Sequence, residues 1–143
     1  MSQTRFELSP DRLIMVQATI HALDYSKHVT VDLIVDTGAS FTTINPNILS
    51  DLGYDLSDPN LRKIDFITAS GITKAEIIAV SRLSVIGHAF EGMEVAASYL
   101  PVETYAHGLL GANFLSCFDI GISYSKHIIN TEPISSTIFS FTP

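Results

Sequence analysis

The chain has 143 residues, 46% of them hydrophobic, and its 8 basic against 15 acidic residues leave a formal charge of −7. That length suits one domain with one continuous core. The basic residues are scattered, which argues against nucleic acid and anionic membrane as partners, and no apolar run reaches the roughly 20 residues of a spanning helix. Cys117 is the single cysteine, so an intrachain disulfide and a thiolate metal cage are both excluded. The opening "MSQTRFELSPDR" has no apolar core and no small-residue cleavage site. A soluble, cytoplasmic protein is the expectation.

From the N-terminus, apolar residues recur at every second position over residues 12–23: Ile14, Val16, Ala18, Ile20 and Ala22 share a face opposite Gln17, Thr19 and His21. "ALDYSKH" supplies a turn, and residues 29–35 alternate again with Val29, Val31, Leu33 and Val35 on one side. The two runs predict a hairpin. After Asp36-Thr37-Gly38, "FTTI" is rich in β-formers. In "NPNILSDLGY", Asn45 reads as a cap, Pro46 as the first helical residue, Leu49 and Leu52 as the inward positions and Gly53 as the stop. Residues 62–68 and 73–80 flank "ASG" and predict a second hairpin, with Gly71 able to take a positive φ at its tip.

Further strands are expected around turns at Ile86-Gly87-His88 and Glu91-Gly92. "HGLLGANFLSCF" reads as a buried strand ending at Gly111 and then a short helix with Phe114, Leu115 and Phe118 as its apolar residues. "DIGISYSKHII" returns to β. The expected fold is all-β with two short helices, a core over about residues 12–130 and a tail, 131–143. That tail carries Ile138, Phe139 and Phe141, which a free tail has no reason to expose, and it is expected to pair with this chain or with a second copy in a dimer interface.

The specific signal is "LIVDTGAS", a carboxylate at the tip of a run fit for burial. Asp and Gly alone favour turns. With the preceding alternation and with "GLLGANFL" some seventy residues later, however, this stretch resembles the active-site loop and second signature of the aspartic proteases. The likeness runs over roughly residues 13–129. Because Asp-Thr-Gly occurs once, the chain is most similar to the retropepsin-like, single-lobed branch, which forms homodimers. The resemblance implies an acid-protease barrel and a peptide or protein substrate, with no cofactor and no metal. It makes Asp36, Thr37 and Gly38 catalytic, Ala39, Ser70, Gly71 and Ile72 substrate-binding around a flap hairpin, and Leu109, Leu110 and Gly111 the structural signature.

That chemistry has a physical logic. Hydrolysis through two carboxylates that share one proton needs both within hydrogen-bond reach, and one chain offers one such aspartate, so a two-fold dimer completes the pair. The sequence also departs from the retroviral pattern. Where acidic residues often follow the triplet and an arginine follows the second glycine, this chain has Ala39-Ser40-Phe41 and Ala112, so that ion pair is missing. The expected activity is an aspartic endopeptidase; the alternative is a catalytically inactive dimeric peptide-binding or scaffolding module of the same fold.

Other constellations are weaker. Asp119-Ile120-Gly121 looks like a degenerate triplet but begins a strand instead of ending one. His21, His28, His88, His107 and His127 show no pair at a metal-ligand spacing in sequence. A Cys117–His107 thiol hydrolase pair lacks any third group to orient it.

Overall fold

The computed structural model describes residues 1–68, 71–101 and 104–134. In chain order its elements are β1 (Ser2–Arg5), β2 (Glu7–Leu8), β3 (Ile14–His21), β4 (His28–Val35), β5 (Thr43–Ile44), α1 (Pro46–Asp51), β6 (Lys63–Thr68), β7 (Gly71–Val80), β8 (Leu83–Val85), β9 (His88–Phe90), β10 (Met93–Ala97), β11 (Gly108–Leu110), α2 (Ala112–Leu115), β12 (Phe118–Ser123) and β13 (Ile128–Pro133). The chain is mostly β, as expected. One large curled sheet runs β6-β7-β10-β5-β11-β4-β3-β8-β9, with β2 also on β3, and a smaller sheet runs β1-β13-β12. Among the described residues no helix is long and apolar enough to cross a membrane.

The period-2 pattern does its work in β3 and β4. Val16, Ala18, Ile20, Val31 and Leu33 are all buried, and the antiparallel register sets Val16 opposite Leu33 and Ala18 opposite Val31. A one-residue slip would expose this whole set, so burial itself fixes the register. α1 starts as its sequence directs: the Asn45 side chain accepts from the Asn47 N–H at 2.8 Å, Pro46 opens the helix, and Gly53 follows it at φ +93°. The hairpin β6–β7 also forms, with Gly71 at φ +123°.

Beneath α2 the core is aromatic. Phe114 meets Phe90 edge-on at 5.1 Å and Phe118 at 5.4 Å between ring centroids, a geometry that adds to simple area burial. Phe118 belongs to β12 and not to the helix, which ends at Leu115 with Ser116 as its cap. The helical spacing of Phe114, Leu115 and Phe118 was therefore a helix turn followed by a strand whose first residue points into the same core.

Two short strands before residue 12 carry no clear periodic signal, yet they are structural. Phe6 is buried, β1 pairs with β13, and β2 pairs with β3. β1 also steadies an unusual turn. Ile86, β-branched and at φ +46°, occupies a backbone region costly for its type. The Ser2 hydroxyl donates to its carbonyl at 2.9 Å and sits 2.6 Å from the Thr131 hydroxyl, which lies 2.9 Å from Nε2 of His88. Ile138, Phe139 and Phe141, on which the expected pairing of the tail rests, lie outside the described residues.

Candidate active site

Asp36 follows directly on β4, and the topology explains why its position is set. β4 and β5 are consecutive in the chain, but β11 arrives from seventy residues away and lies between them, parallel to β4 and antiparallel to β5. The loop joining β4 to β5, residues 36–42, therefore has to arch over β11. Such an approach leaves no room for a side chain at either end of the inserted segment, Gly108 and Gly111. A Cβ on Gly108 would fall on the Thr43 carbonyl, and one on Gly111 would lie 2.5 Å from the backbone C and O of Phe41.

Within the loop the Asp36 N–H donates to the Leu110 carbonyl at 3.0 Å, and the Ala39 N–H donates back to the Asp36 carbonyl at 3.2 Å. Oδ1 of Asp36 accepts the Gly38 N–H at 2.9 Å. Asp36 is thus half-buried, its carboxylate oriented by a backbone donor, while Thr37 and Gly38 are exposed. The whole triplet stands at the molecular surface, with its carboxylate open to a reactant on one side.

The far side of the loop is bolted to α2. Ala112 N–H donates to the Ala39 carbonyl at 2.7 Å and Asn113 N–H to that of Ser40 at 3.1 Å. The Asn113 side chain completes the attachment: its Oδ1 accepts from both the N–H and the hydroxyl of Thr42, at 2.8 and 2.9 Å, while its Nδ2 donates to the Glu94 carbonyl at 2.7 Å. The Thr42 oxygen in turn accepts the Gly111 N–H at 3.1 Å. Thr42 is fully buried. The side-chain polar atoms of Thr42 and Asn113 all have partners, as a buried network requires.

A cleft of about 860 Å³ opens beside the triplet. One wall is Gly38, Ala39, Ser40 and Phe41; the hairpin β6–β7 supplies another through Ile64, Phe66 and Thr73, and Tyr99 and Leu109 add to the lining. Ile64, Phe66 and Phe41 pack on a small separate core of Ala75, Ile77 and Ala96. The cleft is therefore an apolar trough that runs from the triplet beneath the hairpin, of a volume typical for ligand sites.

The residues singled out from sequence come together in part. Asp36, Thr37, Gly38 and Ala39 form one loop, of which Gly38 and Ala39 line the cleft; Leu109 also lines the cleft, Leu110 is buried behind the loop, and Gly111 carries the contact to Thr42. Ser70 lies outside the described residues. Gly71 and Ile72 sit at the end of the hairpin, where Ile72 pairs with Ile67; both isoleucines are exposed, at 71% and 90%. Sequence reasoning missed Thr42, Asn113 and Gly108. The first two are joined across seventy-one positions by side-chain bonds that no local pattern announces. Gly108 had a signal, a second glycine just before the Leu-Leu-Gly element.

The remaining candidates part company with this site. Asp119 is exposed on β12, paired with Glu132 in the smaller sheet. Cys117 lies beyond the end of α2, buried, with its Sγ 3.7 Å from the Asn113 carbonyl, and burial pushes its thiol up, away from the reactive thiolate. His107 is occupied elsewhere, its Nδ1 accepting the Asp32 N–H at 2.9 Å. Among the described residues no group of three or more His, Cys, Asp or Glu side chains is placed to hold a metal ion.

A sequence model of a family described as aspartyl protease matches residues 16–114, more than half of the chain. No curated protein sequence matches this one. Among solved structures, a retropepsin-like aspartic protease from Rickettsia conorii superposes with a TM-score of 0.66 at 23% identity, over 90% of this chain and 89% of that one. At that identity the likeness concerns the fold.

Proposed function

Because the chain belongs to the aspartyl protease family and has a retropepsin-like fold, we propose that it is an endopeptidase whose active site is completed by a second copy of itself. The observation that carries this reading is Asp36, a half-buried carboxylate fixed at a strand end beside an apolar cleft. The triplet is exposed where a two-fold partner would present its own. Thr37 and Gly38 then face the opposite loop across the axis.

In that arrangement the two Asp36 carboxylates stand close enough to share one proton, since like charges at such a distance cannot both ionise. The ionised one draws a proton from a water as the water oxygen attacks the scissile carbonyl carbon. The protonated one donates to the carbonyl oxygen. Collapse of the tetrahedral intermediate breaks the C–N bond, with a proton returned to the leaving nitrogen. The Gly38 N–H on Oδ1 keeps the carboxylate oriented through these exchanges.

The substrate lies extended in the cleft as an added strand, its alternate side chains in the apolar trough of Phe41, Ile64 and Phe66. The hairpin β6–β7 acts as a flap, with Gly71 and Ile72 near its end closing over the peptide and excluding water. Neither the acidic residues after the triplet nor the arginine after Gly111 is present to tie such a dimer, so apolar contacts hold it, and the pairing depends on concentration. Peptide cleavage by the wild type, abolished in Asp36→Asn, is the expected result. Peptide binding without cleavage in both forms would instead favour an inactive binding module.

A further inference from the structure

The β3–β4 hairpin brings together two histidines that the sequence keeps apart. His21 ends β3, His28 begins β4, and the register sets them directly opposite each other. One step nearer the turn, Ala22 N–H donates to the Lys27 carbonyl at 2.8 Å, whereas His21 N–H turns the other way and donates to the Arg82 carbonyl at 3.0 Å. His21 and His28 are therefore a non-hydrogen-bonded pair, the kind in which facing side chains approach most closely. Both rings stand on the outer face of the hairpin, opposite the buried Ile20 and Val31.

The ring centroids are 5.3 Å apart at an interplanar angle of 38°. Two imidazoles bound through nitrogen to one tetrahedral zinc, with Zn–N of about 2.0–2.1 Å, have centroids roughly 5 Å apart. The backbone thus already holds the rings at the separation a shared metal ion requires. Nδ1 of His21 is buried and has no hydrogen-bond partner, so one donor stands ready. His28 is exposed, and rotation about its broad terminal torsion can turn either nitrogen toward a shared ion. The Tyr25 ring lies 5.8 Å from that of His21 with its hydroxyl committed to the Ser81 carbonyl at 2.8 Å, and the nearby Arg82 is paired with Glu91 at 3.7 Å.

We propose that His21 and His28 form a binding site for a divalent transition metal of the zinc class, with water filling the remaining positions. Imidazole suits zinc, copper and nickel over calcium or magnesium. The ion would clamp the turn end of the hairpin whose other end delivers Asp36, and, binding the folded chain, would stabilise it by mass action.

The test is a zinc titration of tag-free Asp36→Asn protein at near-neutral pH, followed by calorimetry, by NMR of the histidine ring protons and by thermal melting. Asp36→Asn excludes self-cleavage during the titration. The expected result is saturable one-to-one binding that moves the ring signals of two histidines and raises Tm. Adding His28→Ala, at an exposed position, should weaken binding about tenfold or more and abolish the Tm rise. Absence of saturable binding up to millimolar zinc, or binding that His28→Ala leaves unchanged, would overturn the proposal.

Discussion

Asn113 and Thr42 lock the Asp36 loop to α2 through a single oxygen: Oδ1 of Asn113 accepts both the backbone N–H and the hydroxyl of Thr42, at 2.8 and 2.9 Å. Replacing Asn113 with Ala strands both donors, and Thr42 is fully buried. Leaving a buried polar group unpaired costs about 1–3 kcal/mol, so Asn113→Ala should lose at least that much in a urea unfolding titration. Thr42→Ser, which keeps the hydroxyl, should lose clearly less than Thr42→Val. If the loop positions Asp36, the same variants lower peptide cleavage beyond what their folded fraction explains.

Glycines divide into those that the arch over β11 demands and those it does not. Gly111→Ala sets a Cβ 2.5 Å from the Phe41 backbone, where neither partner can yield, and the expected outcome is failure to fold. Gly121→Ala is the contrast. Its Cβ would meet nothing nearer than the Asn130 Cβ at 4.0 Å, and replacing Gly within a strand removes backbone entropy from the unfolded chain. Its midpoint in urea should match or exceed the wild type.

Stability should have an acid and an alkaline shoulder set by two different side chains. Burial, aided by the positive N-terminus, lowers the His88 pKa below its ordinary 6.5. The unfolded chain then binds that proton more readily, so the stabilisation is present above about pH 6.5 and is lost as the pH falls below it. Burial raises the Cys117 thiol above its ordinary 9.0; the folded chain holds that proton longer, and stability declines as the pH rises past about 9. Unfolding titrations across pH check both limbs, and His88→Gln should flatten the acid one. In the native protein Cys117 should resist thiol reagents that label it readily after unfolding.

Much of this was legible locally. The β3–β4 hairpin, the Asn45 cap and Pro46 of α1, and the strand pair around Gly71 each rest on periodicity or on one residue's backbone preference, and short windows carry both. The triplet was legible because its flanks were. What escaped was the consequence of long-range assembly. The pairing of β10 with both β7 and β5, the insertion of β11 between β4 and β5, and the Thr42–Asn113 bonds all depend on segments far apart in sequence. Phe118 was misplaced because helix and strand can present an aromatic to the same core from either side of a junction. The opposition of His21 and His28 follows from a register that seven positions of sequence do not display.

The central claim is that peptide hydrolysis needs one Asp36 from each of two copies. The most direct measurement mixes wild type with increasing Asp36→Asn protein at constant total concentration, allows exchange of subunits, and follows cleavage of an unbiased peptide mixture by mass spectrometry. The account predicts that the Asn form alone is inactive and that activity falls as the square of the wild-type fraction, because mixed dimers hold one carboxylate. A linear fall, or cleavage that persists in the Asn form, would contradict it.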